Sequence, residues 1–298
     1  MPGSKQGSPA IVFDAGHGEE VTPEESEISK LKTLLQTNGF EVATQRSKIT
    51  SSTLKPYRVC VLGNPLGATF SGSEIAAVET FVKAGGGLLL ISGATIFGKG
   101  GDQARQTNMT AIAQRFGLGF SEKAIQSSPA TAESDTAGAT DAFVATLAAQ
   151  HPLTRGVLHI QFASATAVIP GTTSDTLFRV GDAPAAPAVV VTDTKGKGRI
   201  LALGGSTPFF NAYIGNLDHD IFLVRAFRWL SNLPPTASIH RLKKRQPAVE
   251  LPPDSAAALN EIRLRLDAFE KEVSEMKKAI LATVDELHRV LRLLQEEK

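Results

Sequence analysis

The sequence predicts an α/β protein, a doubly wound and mainly parallel sheet followed by a long C-terminal α-helix, and three observations carry that reading. Short apolar runs alternate with amphipathic helical patterns across connections of a few residues, which implies right-handed βαβ units. Two of the runs, residues 58–63 (RVCVLG) and 88–91 (LLLI), are continuously apolar at their centres, as strands covered on both faces must be. From Leu259 to Leu294 apolar residues recur at alternating steps of three and four, the period of a helix that packs along another helix.

The first strand organises the rest. In residues 10–20, AIVFDAGHGEE, Ile11, Val12 and Phe13 form a buried run closed by Asp14, and Gly16 and Gly18 keep the next loop tight enough for backbone to approach a ligand. Thr22 and Pro23 are expected to start a helix with Ile28, Leu31, Leu34 and Leu35 on one face, ended by Asn38 and Gly39. Residues 40–44 alternate as a second strand, 50–55 connect, and 58–63 form a third strand that ends in Asn64 and Pro65. Ser71 and Glu74 cap a helix whose Ile75, Val78, Phe81 and Val82 are spaced for burial. Gly85, Gly86 and Gly87 stop it before strand 88–91, which ends in Ser92 and Gly93.

Beyond lie a Gly-rich loop at 97–101 and a short helix at 108–116. Residues 121–140 turn to Ala, Ser, Thr and Glu without a period, and are expected to be an insertion. A short helix is expected at 143–148, strands at 157–168 and 176–180, and a hairpin pairing 188–193 with 199–203 across Lys195-Gly196-Lys197-Gly198. Residues 218–230 form a closing helix, terminated by Pro234 and Pro235. The expected organisation is a disordered leader at 1–9, an α/β domain at 10–235, a Pro-containing basic linker at 236–253 and a helix at 254–298. In that last helix Leu259, Ile262, Leu266, Phe269, Val273, Met276, Ile280, Leu287, Val290 and Leu294 make a heptad seam, with Thr283 its polar member. A sustained 3.5-residue period favours a coiled coil, with a copy of the chain or with a partner helix, over packing on a globular surface.

Composition narrows the function. The formal net charge is +1, and basic and acidic residues balance both before and after Thr236, so no field draws the chain to nucleic acid. The run His240-Arg241-Leu242-Lys243-Lys244-Arg245 reads as a solvated linker. The single cysteine, Cys60, sits within an apolar run, which excludes a disulfide framework and a cysteine-built zinc site. No window has the length of a membrane span, so no direct membrane insertion is expected and a cytoplasmic setting is the simplest.

The order of motifs then resembles the GIFT domain. The resemblance runs through Asp14-x-x-His17-Gly18-Glu19, Ile49-Thr50 ahead of Leu54, Val61-Leu62-Gly63-Asn64-Pro65, Phe70-Ser71 with Glu74-Ile75, and the stretch from Phe81 to Ile91. Later it is carried by Gly204-Gly205-Ser206 and by Asn216-x-Asp218 ahead of Phe227-Arg228-Trp229-Leu230. Where relatives often carry Asp-Asn, this chain has Asp218-His219-Asp220. The family is similar to the class I glutamine amidotransferase fold and occurs in intraflagellar-transport components and in gliding-motility proteins associated with ABC transporters. It covers about residues 10–233 and not the coiled coil. The resemblance implies a flavodoxin-like sheet that keeps a ligand edge.

In such a sheet, ligands meet the carboxyl ends of the parallel strands where strand order reverses. Asp14, His17, Glu19, Asn64, Ser92, Gly93, Ser206 and Asp218 are therefore the candidate residues for a small-molecule or peptide ligand. Asp14 and His17 have a second role open to them, holding the loop by hydrogen bonds to backbone amides. Asp14, His17, Asp218 and His219 are a metal-ligating set by chemistry, though their spacing matches no metal signature. The candidates for catalysis are His17, Glu19 and Ser92, in a hydrolase using His17 with Glu19 or Asp14, with or without a metal. Against catalysis, Cys60 is in mid-strand, and neither Gly-x-Cys-x-Gly nor Gly-x-Ser-x-Gly occurs, so no strained elbow exposes a nucleophile. Gly98-Lys99-Gly100-Gly101 lacks the Gly-Lys-Ser/Thr ending of a phosphate loop, and no cofactor is expected. The sequence thus predicts a non-catalytic binding and scaffold protein.

Overall fold

In the computed structural model the chain runs β1 (Ala10–Asp14), α1 (Ser29–Thr37), β2 (Glu41–Gln45), α2 (Ser51–Leu54), β3 (Val59–Gly63), α3 (Gly72–Lys83), β4 (Gly87–Ile91), α4 (Thr110–Gln114), β5 (Gly119–Ala124), β6 (Ala142–Leu147), β7 (His159–Ala163), β8 (Thr166–Ile169), β9 (Asp175–Arg179), β10 (Ala188–Lys195), β11 (Gly198–Leu203) and α5 (His219–Leu230). The structure describes residues 8–65, 67–93, 109–125, 142–163, 165–181, 183, 185–235 and 237–242. The chain divides into two units, Met1–Lys243 and Lys244–Lys298. The leader at 1–7, the Gly-rich loop at 97–101, most of the 121–140 insertion and the heptad helix at 254–298 lie outside the described residues.

Nine strands form one sheet in the order β2-β1-β3-β4-β11-β10-β9-β6-β7. The first five of that order pair in parallel, and from β11 onward every pair is antiparallel. The sheet is therefore mixed, a parallel half extended by an antiparallel half. The parallel half is covered on both faces, and its residues alternate between two cores. Ile11, Phe13, Val59, Val61, Leu89, Ile91, Leu201 and Leu203 enter the core with α1 and α5. Val12, Cys60, Leu62, Leu88, Leu90, Ile200 and Ala202 enter the core with α3 and α4.

Four elements depart from the sequence reading. Residues 143–148, expected as a helix, lie largely in β6, where buried Phe143 and Ala145 alternate with exposed Val144 between the two partners β7 and β9. A run of six apolar and β-forming residues is ambiguous by period, and pairing on both sides settles it as a strand. The first helix begins at Ser29 and not at Thr22, because its cap comes from far away: Asn211 Oδ1 accepts from Lys30 N at 2.8 Å. Residues 157–168 split between β7 in the large sheet and β8, which among the described residues pairs with β5; the first residues of the expected insertion, 121–124, belong to β5. Residues 237–242 of the expected linker form a strap on the domain. Arg228 donates to the carbonyls of Ala237 and Ser238, Arg241 forks onto Asp220 at 2.8 and 3.0 Å, and Ile239 and Leu242 pack on the core.

Phe227 marks the centre of the first core, fully buried with its ring 6.0 Å from Phe13 and 6.3 Å from Phe40. Phe227→Ala leaves a cavity at the α5–β1 contact, and is expected to lower the free energy of unfolding by about 3–5 kcal/mol in urea titrations.

Candidate functional site

Strand β1 precedes β2 and β3 in the chain but lies between them in the sheet, so strand order reverses beside it. In doubly wound sheets that reversal opens a crevice at the strands' carboxyl ends. Here the loop leaving β1 folds over the end of β3. Glu20 N donates to Asn64 O at 3.2 Å, Val21 N to Gly63 O at 3.0 Å, and the amides of Gly67 and Ala68 both donate to His17 O. The approach needs glycine at two positions: Gly18 has φ 73°, and a Cβ on Gly63 would stand 2.6 Å from Val21 O. Asn64 adopts φ 57°, and its side-chain amide donates to Glu20 Oε2 at 2.7 Å.

This closure buries four ionisable side chains together, Asp14, His17, Glu19 and Glu74. His17 Nδ1 lies 2.6 Å from Asp14 Oδ2 and 3.6 Å from Glu19 Oε1, and Nε2 lies 3.4 Å from Glu74 Oε1. The remaining carboxylate oxygens are tied to nearby donors. Gly16 N donates to Asp14 Oδ1 at 3.4 Å and His17 N to Glu19 Oε2 at 3.0 Å. Glu74 completes the capping box of α3, accepting from Ser71 N at 2.9 Å and from Ser71 Oγ at 2.6 Å, and its Oε1 also accepts from Ile49 N at 3.2 Å. The Phe70 ring, 4.3 Å from the imidazole, closes one side.

Three carboxyl groups around one imidazole cannot all keep ordinary acidities. Burial pushes the Glu19 carboxyl up to about 8, and the neighbouring Asp14 carboxyl adds to the effect. Burial raises Asp14 as well. Glu74 moves the other way: burial works to raise it, but hydrogen bonds from Ser71 and Ile49, with the His17 ring beside it, leave it lowered. Burial also drives the Cys60 thiol upward, which makes it an inert core residue.

A general base must turn one ring nitrogen toward a substrate proton. Both nitrogens of His17 face carboxylates, and Ser92, at the end of β4, has no exposed surface. Gly93 follows it, also buried, and Ser206 precedes the 3₁₀ turn Thr207–Phe209, where its carbonyl accepts from Phe209 N. Asp218 and His219 have other work. Asp218 Oδ2 accepts from Leu158 N at 2.9 Å and His159 N at 3.4 Å; His219 Nε2 accepts from Gln161 N and Nδ1 contacts Tyr213 O, both at 2.8 Å. The pair therefore clamps β7 to the start of α5. The metal-ligating set expected from sequence accordingly separates: among the described residues Asp14 and His17 group with Glu19, their ligand atoms all within 4.8 Å of one another, and not with Asp218 and His219. Glu74 is the site residue that sequence reasoning missed. The Ser-x-x-Glu capping box placed it at the start of α3, but nothing local says that its other oxygen meets His17.

Comparison with known proteins agrees with this architecture. The family model of the IFT52 GIFT domain matches residues 10–129, so the GIFT resemblance read from the motifs holds over that stretch. No curated protein sequence matches the chain. Among solved structures, the mmIFT52 N-terminal domain superposes with a TM-score of 0.61 at 17% identity, covering 78% of this chain and 99% of that domain. Two cytoplasmic proteins from Salmonella typhimurium each superpose at 0.50, with 15% and 14% identity, covering 75% of this chain and 97% of theirs. At such identities the structural likeness is one of fold.

His219 makes the clamp on β7 sensitive to acid. Burial lowers its pKa from the ordinary 6.5, against the pull of the Tyr213 carbonyl, Asp220 and Asp218. Between 6.5 and the lower folded value, the unfolded chain binds a proton that the folded chain refuses. The stability that His219 contributes is therefore full above that window and is lost as the pH drops through it. Glu19, raised to about 8, works in the opposite sense over the same range, so the expectation is a difference: as the pH is lowered below 6.5, the urea midpoint of the wild type falls relative to that of folded His219→Gln.

Proposed function

We propose that this chain is a non-catalytic binding and scaffold protein in which a GIFT-like α/β domain is joined to a coiled coil over residues 254–298. The coiled coil assembles the chain with a copy of itself or with a partner helix, and the whole serves a larger transport or motility assembly. The observation that carries this reading is the closed His17 cluster. A hydrolase on this fold would need a base and a nucleophile facing an open crevice, whereas both nitrogens of His17 are taken up by carboxylates beneath a loop bonded to β3. The loop edge then serves as a rigid surface. The match of residues 10–129 to the IFT52 GIFT family model supports an assembly role. The heptad seam from Leu259 to Leu294 supports the means of assembly.

The test compares the full chain with residues 1–243, which keep the strap at 237–242. Light scattering after size exclusion is expected to give a higher-order species for the full chain, alone or with its partner, and a folded monomer for the truncated one. Equal mass and an equal set of co-purifying partners for the two would remove the assembly role from the tail. A second expectation is that Ile262→Asp with Ile280→Asp reproduces the truncation, since charges on a heptad seam are desolvated without a partner.

A further inference from the structure

The geometry points to a divalent-metal site formed by Asp14 Oδ2, His17 Nδ1 and Glu19 Oε1, taking Zn²⁺ or Mn²⁺ and fastening the β1–α1 loop over the end of β3. Two carboxylates and an imidazole are the donor set that both ions accept, and the mixture of nitrogen and oxygen disfavours calcium. Glu19 Oε1 is buried and has no hydrogen-bond partner, in a side chain with no exposed surface, and it is directed at the imidazole. A buried oxygen without a hydrogen-bond partner is costly, and a cation that displaced the carboxyl's proton would meet it.

The outer contacts are those of a ligand set held ready. Each donor is fixed through its other end: Asp14 by Gly16 N on Oδ1, Glu19 by His17 N on Oε2, and His17 by Glu74 Oε1 opposite Nε2. A carboxylate facing the far nitrogen is the usual partner of a metal-bound histidine, since it orients the ring and strengthens its basicity. Bond lengths near 2.1 Å in a tetrahedral site set donor separations of about 3.4 Å. The 3.6 Å between Glu19 Oε1 and His17 Nδ1 already fits, and the 2.6 Å between Asp14 Oδ2 and Nδ1 has to open by about 0.8 Å as the ion displaces the proton held there. The site is built from the same cluster that carries the non-catalytic reading, but nothing in it depends on the coiled coil, so assembly is tested apart from it.

The experiment uses the full chain, stripped with chelator and titrated by calorimetry with Zn²⁺ and separately with Mn²⁺, with bound metal counted by mass spectrometry. One ion per chain is expected, with a rise in the thermal midpoint, and a zinc absorption edge showing one imidazole among nitrogen and oxygen neighbours. Glu19→Gln, which preserves volume, and His17→Ala should abolish stoichiometric binding. Glu74→Gln leaves all three ligands in place and should weaken affinity roughly 10–100-fold, as the loss of a carboxylate behind a metal-bound histidine does. Circular dichroism establishes that each variant is folded, and for one that is not, the wild-type absorption edge decides. The proposal is overturned if the stripped chain binds neither ion, or if binding at one ion per chain survives in folded Glu19→Gln and His17→Ala. The count of metal does not depend on the mass measured for the full and truncated chains, so the two readings fail separately.

Discussion

A parallel strand buried on both faces can keep no polar side chain along its length, and this constraint shapes the domain. The four strands β1, β3, β4 and β11 are apolar almost throughout, and each hands its backbone hydrogen bonds to neighbours on either side. Polar residues are displaced to the carboxyl ends, where Asp14, Asn64 and Ser92 follow one another across three adjacent strands. Because β1 sits where the strand order reverses, its exit loop has β3 beside it, and the free carbonyls of Gly63 and Asn64 draw that loop down.

Closure of the loop has an electrostatic consequence. It takes three carboxyl groups and an imidazole out of water within one small volume, and their protons and hydrogen bonds must be shared to make that tolerable. Glu74 is the link between this cluster and the rest of the fold, since one carboxylate caps α3, receives the Ile49 amide and faces His17. The start of α3, the approach to α2 and the β1 loop are thereby tied through a single side chain. This arrangement closes the edge at which doubly wound sheets generally open a crevice.

Legibility differed element by element. The β1, β3 and β4 runs, the hairpin of β10 and β11, and the cap of α3 were readable because each is written in residues a few positions apart: burial sets the apolar runs, and turn and cap chemistry sets their ends. The cluster of Asp14, His17 and Glu19 was readable as a set of polar residues at one strand end, though its closure was not. β6 was misread because six residues of mixed apolar character carry no decisive period. The start of α1 was misread because its cap, Asn211, arrives from 181 positions away.

By itself, the sequence determined the α/β class, the polar residues that close the apolar strands, the GIFT-type motifs and the heptad period of the tail, all of which follow from local patterning of apolar and polar residues. Tertiary structure decided which polar residues meet. Asp218 and His219 were grouped with Asp14 by chemistry alone, yet they bond to the backbone of residues 158–161, about sixty positions earlier, while Glu74 joins His17 instead. Such partnerships depend on where separate strands and helices come to rest, and a donor or acceptor carries no mark of its distant partner in its own sequence neighbourhood.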